Sequence, residues 1–360
     1  MNLAPTPTRP TATRPRLFSP AAWRGILVVV TLLALLPLLN LVFPSGHALH
    51  VSSYAVVLIG KFMCYALAAL ALDLVWGYAG ILSLGHGLFF ALGGYAHGMY
   101  LMRAGESGGT YPWFWALTDH FAYAMLLVVL VPGALAFVFG FFAFRSRIKG
   151  VYFSIITQAM TFAAMLLFFR NDTGFGGNNG FTDFKQILGF DITAAGTRAG
   201  LYWTTLAVLA ASLVFARWLT LSRFGRVLTA VRDAESRLRF LGYDPLGYKL
   251  FIWTVSAVMC GIAGALYVPQ VGIINPSEMS TENSIEMAVW VATGGRGTLI
   301  GPLVGAGMVN GLKTWFTSEF PELWLYALGL IFVLTTLFLP QGIVGLVRRL
   351  RARPLENPPS

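Results

Sequence analysis

The sequence predicts an all-α, polytopic membrane helix bundle. Three observations point there: apolar runs of bilayer-spanning length, a scarcity of charge, and a one-sided distribution of basic residues. Runs of the required ~20 residues recur at 26–43, 54–75, 84–102, 122–144, 151–169, 202–219, 250–271 and 323–346. The apolar stretch 285–316 is broken at Thr293–Thr298 (TGGRGT) and reads as two passes, which makes about ten. Charged residues are only 11% of the chain and apolar ones 56%, against about 25% charged in a soluble domain. So few charges cannot cover a soluble surface of this size.

Arg and Lys stay in the cytoplasmic loops of membrane proteins. With the N-terminus inside, the cytoplasmic segments carry Arg9, Arg14, Arg16 and Arg24, then Arg145, Arg147 and Lys149. They also carry the seven basic residues between Arg217 and Lys249, Arg296, and Arg348 to Arg353. Both termini are then cytoplasmic. Acidic residues show the opposite bias, with Asp172, Asp183, Asp191, Glu278 and Glu282 among those outside. The net charge of +10 is this asymmetry and not a nucleic-acid-binding face.

Taken in order, residues 1–22 are rich in Pro, Thr and Arg and read as a disordered cytoplasmic tail. The run 26–43 is too long for a signal-peptide core and no small-residue cleavage site follows, so it reads as a retained first helix. The membrane-spanning body runs over 23–347, with a short cytoplasmic tail at 348–360. Cys64 and Cys260 fall inside apolar runs and form no disulfide framework.

Glycines then cluster at 77, 80, 85 and 87 around Ser83 and His86. Gly weakens a helix by up to ~1 kcal/mol against Ala. Two readings stand: small residues allow close helix packing, or the helix is interrupted and its freed backbone lines a polar cavity. Gly294, Gly295 and Gly297 form a second Gly-rich interruption late in the chain, a pattern also seen in inverted repeats. His86 has no companion at metal-ligand spacing, and no metal is expected.

Between these clusters, Ser154, Thr157, Gln158 and Thr161 share one helix face. Such a stripe bonds helices together or lines a path for a small uncharged polar solute. Lys61, Asp73 and Glu286 are among the ionisable residues within runs. Lys61 has the reach to snorkel, and Glu286 joins the candidate path. The 170–200 loop is longer than a connection needs and reads as an outer docking segment. The segment 222–242 reads as an amphipathic cytoplasmic helix of ~19 residues with Ser222 as N-cap, an interruption at 234–235 and a stop at Gly242 before Pro245. Arg226, Arg232, Arg237 and Arg239 occupy its basic face. It lies on lipid headgroups or is offered to a cytoplasmic partner.

No GxxxxGK[ST] phosphate loop, HExxH or GxSxG occurs. Any ATP, with its Mg, is bound by another chain, and no cofactor is expected here.

The stretches Gly77–His86 (GYAGILSLGH), Ser222–Asp233 (SRFGRVLTAVRD) and Gly294–Pro302 (GGRGTLIGP) resemble the membrane subunits of branched-chain amino-acid-type ABC importers, the LivM kind. Residues 155–161 (IITQAMT), 175–184 (FGGNNGFTDF) and 313–318 (KTWFTS) look most like the urea-permease branch of that family, the UrtC type. The resemblance implies a multi-pass inner-membrane subunit that is not itself an enzyme. Its implied partners are a second, homologous permease subunit, two cytoplasmic ATPase subunits and an extracytoplasmic urea-binding protein. It also makes 222–242 a coupling helix, with Arg226, Ala230, Arg232, Asp233, Arg237 and Gly242 as candidate contacts. Gly242 fits the family glycine. The Glu-Ala-Ala that should precede it falls on Ser236-Arg237-Leu238, which leaves individual contacts open. The expected action is alternating access, with a branched-chain amino acid or short amide as the rival solute and a passive urea channel as the rival mechanism.

Overall fold

The computed structural model describes residues 17–44, 46–105, 112–338 and 341–351. The first sixteen residues of the expected N-terminal tail lie outside the described residues, as does 352–360 of the C-terminal one. Helix α1 (Pro20–Val42) begins inside the expected tail because Ser19 caps it, its Oγ accepting from Ala22 N at 3.2 Å, with Pro20 in the first turn.

Each of the ten apolar runs is helical. They form α1, α2 (Ser53–Asp73, continued by a π-helical turn Leu74–Tyr78), α3 (His86–Gly105), α4 (Phe121–Arg145), α5 (Val151–Phe169), α6 (Ala195–Leu221), α8 (Pro245–Val271), α9 (Thr281–Gly294), α10 (Ile300–Glu319) and α11 (Trp324–Phe338). Six are by themselves long and apolar enough to cross a membrane: α1, α2 with its π turn, α4, α5, α6 and α8. The chain is a multi-pass membrane protein. The run 323–346 is not one continuous helix: α11 is described as far as Phe338, and a separate α12 (Gly342–Arg351) begins at Gly342, whose φ of +64° no continuous helix contains. The basic segment forms α7 (Arg223–Phe240).

Helix α8 is the axis of the bundle, packed against α2, α3 and α4. Trp253, Ile252 and Cys260 on it are fully buried. Its contact with α3 is backbone-close at Gly93, Gly261 and Gly264, so small residues here do serve packing. The apolar side chains of α1 and α4 instead point outward, as at Leu32, Phe137 and Phe142, where lipid is the fitting solvent.

Internal prolines tie helices together. A helical Pro removes the N–H that would bond the carbonyl four residues back. Pro37 thereby frees Leu33 O, which accepts from Tyr202 OH of α6 at 3.0 Å. Pro269 frees Ala265 O, which accepts from His97 Nδ1 of α3 at 2.7 Å. At one end, which carries the basic residues, gather α7, the α4–α5 connection and the α9–α10 turn. At the opposite end the 170–194 loop folds back onto the bundle. Its strand Phe181–Thr182 pairs antiparallel with Ile273–Ile274, and Phe175 stacks on Phe168 at 3.8 Å.

Candidate functional site

At the basic end both glycine-rich breaks meet. The π turn closes α2 just after Asp73, whose buried carboxylate accepts from Gly297 N at 2.6 Å and Leu299 N at 3.2 Å in the α9–α10 turn. Gly77 lies against that turn so closely that a Cβ on it would come 2.6 Å from Gly297 N. The Arg296 guanidinium lies 5.3 Å from the centre of the Trp76 ring. Beyond Tyr78 the helix stops, so Gly77 O has no helical partner. Arg232 of α7 supplies one: its Nη1 donates to Gly77 O at 2.6 Å while Nε donates to Asp233 Oδ1 at 2.8 Å. Gly80, at φ +72°, leaves room for the arginine stem, since a Cβ there would sit 2.7 Å from Arg232 Cγ.

Helix α7 is kinked where its apolar spacing lapses. Ala234 has φ −154° and ψ 62°, and Ser222 Oγ accepts from Gly225 N as the cap. The kink aims Glu235 back at the bundle, where Lys149, Lys249 and Arg239 each approach its carboxylate to 2.8 Å. Burial alone would raise the Glu235 carboxyl, but these donors outweigh it and hold its pKa down at about 2. A carboxyl depressed in the folded state contributes stability that is full above its unfolded value and disappears as pH falls through the folded one. Glu235→Gln is therefore expected to lower the stability at pH 7 by on the order of 1–2 kcal/mol after screening, read as a lower melting temperature. The gap between variant and wild type should narrow below pH 4.5 and close near pH 2.

Of the expected coupling residues, Arg226, Arg232, Asp233, Arg237 and Gly242 are exposed and Ala230 is half-buried, with the Arg232 guanidinium reaching in to Gly77 O. The reading of the residues missed both Glu235 and the apolar tip beyond it. Phe240 is 92% exposed, with Leu241 and Tyr243 beside it.

The interruption at 79–85 is real, and the α5 stripe is built against it. Ser154 Oγ donates to Leu82 O at 2.8 Å, Leu84 N donates to Thr157 Oγ1 at 3.2 Å, and Gly85 lies against Thr161. Ser154, Thr157 and Thr161 are buried. The Ser154 and Thr157 hydroxyls thus satisfy non-helical backbone, while the Thr161 hydroxyl donates to Thr157 O within α5 at 2.9 Å. An unpaired buried polar group costs ~1–3 kcal/mol, which is why the stripe and the break occur together. Gln158 lies apart and reaches Thr281 Oγ1 at 3.4 Å. Ser83 Oγ accepts from Gly85 N. His86 is a core residue, its Nε2 2.8 Å from Ser256 Oγ and its ring against Phe89 and Trp253.

A third break, in 272–280, was hidden by its loop-like composition. This segment runs along α3, bringing Glu278 O and Met279 beside Gly87. Glu278 is thus no outer-loop carboxylate: its Oε1 accepts from Tyr267 OH at 3.0 Å. Nearby, Glu286 Oε2 accepts from Lys313 Nζ of α10 at 2.7 Å, and Lys61 Nζ lies 5.6 Å and 5.9 Å from the centres of the Tyr65 and Tyr267 rings instead of snorkelling to an interface. Lys61 and Lys313 are ~12 and ~9 Å along their helices from the opposite end, at 1.5 Å per residue.

Comparison with known proteins agrees with this architecture. A family profile described as branched-chain amino acid transport system / permease component matches residues 54–336. The high-affinity branched-chain amino acid transport system permease protein LivM of Salmonella typhimurium is 26% identical over 308 residues, covering 79% of this chain and 69% of the relative. A probable LivM of Methanocaldococcus jannaschii is 27% identical over 266 residues, 68% of this chain and 76% of its own. The autoinducer 2 import system permease protein LsrC of Yersinia pestis is 31% identical over 112 residues, 29% of this chain and 30% of its own. No solved structure gives a significant match.

Proposed function

Because the chain belongs to the family of branched-chain amino acid transport system permease components, we propose that it is one membrane subunit of an ATP-driven importer in the bacterial inner membrane. It crosses about ten times with both termini cytoplasmic. It works with a second, similar permease subunit, two cytoplasmic ATPase subunits and an extracytoplasmic solute-binding protein. The observation that carries this reading is the bond from Arg232 to Gly77 O. A partner that grips the exposed Phe240–Tyr243 tip and moves α7 pulls on the one place where α2 ends and the α9–α10 turn rests against it. Motion made by ATP hydrolysis elsewhere is thereby delivered to two bundle helices at once, as alternating access requires.

For the solute we propose urea, on the likeness of residues 155–161, 175–184 and 313–318 to the urea-permease branch. A second reading, a branched-chain amino acid, is favoured by Lys61, Glu278, Glu286 and Lys313. These supply charged groups for a zwitterion that the α5 stripe lacks, and the LivM relatives are named for such a substrate. The test is uptake of radiolabelled urea and leucine into proteoliposomes holding the complete complex, with and without ATP and the binding protein. Urea accumulation that needs both supports the first reading. Leucine uptake without urea uptake selects the second, and urea equilibration without ATP would replace both with a passive channel.

A further inference from the structure

Of the four side chains on helix α9 whose buried polar atoms have no hydrogen-bond partner among the described residues, three share one face: Glu286 Oε1, Trp290 Nε1 and Thr293 Oγ1, with Ser284 Oγ on another. Positions 286, 290 and 293 fall within ~60° of one another around a helix of 3.6 residues per turn. Glu286 and Trp290 are 4% and 3% exposed. Orphaned buried donors and acceptors are rare in folded proteins and point to a role other than packing. The surroundings are also unusual. The Tyr65 ring lies 4.9 Å from Trp290, and Lys61 and Lys313 stand at the edge, both only part-buried. Charged side chains at that depth, on a surface this chain does not itself cover, are out of place against lipid and belong beside a water-filled path.

Resting on the importer reading above, we infer that this face of α9, framed by α2 and α10, is a solute-recognition site for a compact neutral amide of the urea class. The carbonyl oxygen of the amide accepts from Trp290 Nε1 and an N–H donates to Glu286 Oε1. Residues four apart on a helix have Cβ atoms ~5–6 Å apart, a span that one planar amide bridges with a donor on one side and an acceptor on the other. Glu286 is already neutralised through its other oxygen by Lys313. What it offers is a hydrogen-bond acceptor, which suits an N–H of a neutral solute better than a second full cation. The tyrosine and tryptophan faces exclude water from the exchange, so bonds lost by the solute on leaving water are replaced within the site.

The experiment uses the complete reconstituted complex with Trp290→Phe, which keeps an aromatic ring but deletes the N–H together with part of the indole, and Glu286→Gln, which keeps the shape. Leu130→Ala on the outward face of α4 serves as the control. ATP-dependent uptake of labelled urea is expected to fall about tenfold or more in each site variant, 1.4 kcal/mol per decade. ATP hydrolysis and assembly of the complex stay as in wild type and in the control, while both site variants melt lower, Trp290→Phe from its smaller buried ring and Glu286→Gln from the lost ion pair with Lys313. Wild-type urea uptake in both site variants overturns the site and leaves the importer reading standing. Loss of leucine uptake alone, in a wild type that carries leucine and not urea, overturns the amide assignment. A wild-type complex that hydrolyses ATP but moves neither solute removes the importer reading, and the site with it.

Discussion

Arg232→Ala is expected to cut solute uptake by at least tenfold while the complex still assembles and hydrolyses ATP. A hydrogen bond to a charged group contributes about 1.5–3 kcal/mol, and every 1.4 kcal/mol is a factor of ten. The bond from Arg232 Nη1 to Gly77 O is the direct hydrogen bond from α7 to the end of α2. Without it, α7 moves and the gate region does not follow. Arg232→Lys keeps the charge but not the fork that holds Asp233 with one nitrogen and Gly77 with another, so partial coupling is expected. The measurement is solute taken up per ATP hydrolysed in proteoliposomes. An unchanged ratio in Arg232→Ala would show that force reaches the bundle elsewhere, with the Glu235 cluster the next place to test.

Gly77→Val is expected to cost about 3 kcal/mol or more and to abolish well-folded protein. Overpacking a tight contact costs ~1–3 kcal/mol even where side chains can shift, and here the obstacle is backbone. The added atoms would strike Gly297 N and the Asp73 carboxylate, parting Asp73 from the two N–H groups it satisfies. Those groups would then be buried and unpaired. Size-exclusion profiles and melting temperature in detergent read the result directly. A monodisperse variant melting as wild type does would show that this junction is looser than its distances indicate.

Several features at this junction are legible residue by residue. The Ser222 cap, the lapse at 234–235 and the stop at Gly242 are local signals in the order of amino acids, and each reappears in α7. The glycine run at 77–87 announces an interruption, since so many glycines make a poor helix. The role of the α5 stripe was not legible. Four polar side chains at helical spacing read the same whether they face a solute or a neighbouring strand of backbone. Only the placement of residues 79–85 against α5 shows that two of them, Ser154 and Thr157, are bonded to that backbone. Glu278 was misplaced for a related reason: a segment rich in Asn, Pro and Ser reads as a surface loop, and nothing local says that it runs inward beside Gly87.

By itself the sequence determined that this is a membrane protein, where its helices lie, which end is basic, and the family it joins. Those properties are sums over neighbouring residues: hydropathy over twenty positions, charge over a loop, motif identity over a dozen. The tertiary structure alone decided which polar groups are already partnered and which are left open, because a hydrogen bond joins atoms hundreds of residues apart. Asp73 meets Gly297, Arg232 meets Gly77, and Glu286 Oε1 and Trp290 Nε1 meet no hydrogen-bond partner among the described residues. Pairing of that kind is a property of distance in space, which spacing along the chain does not encode.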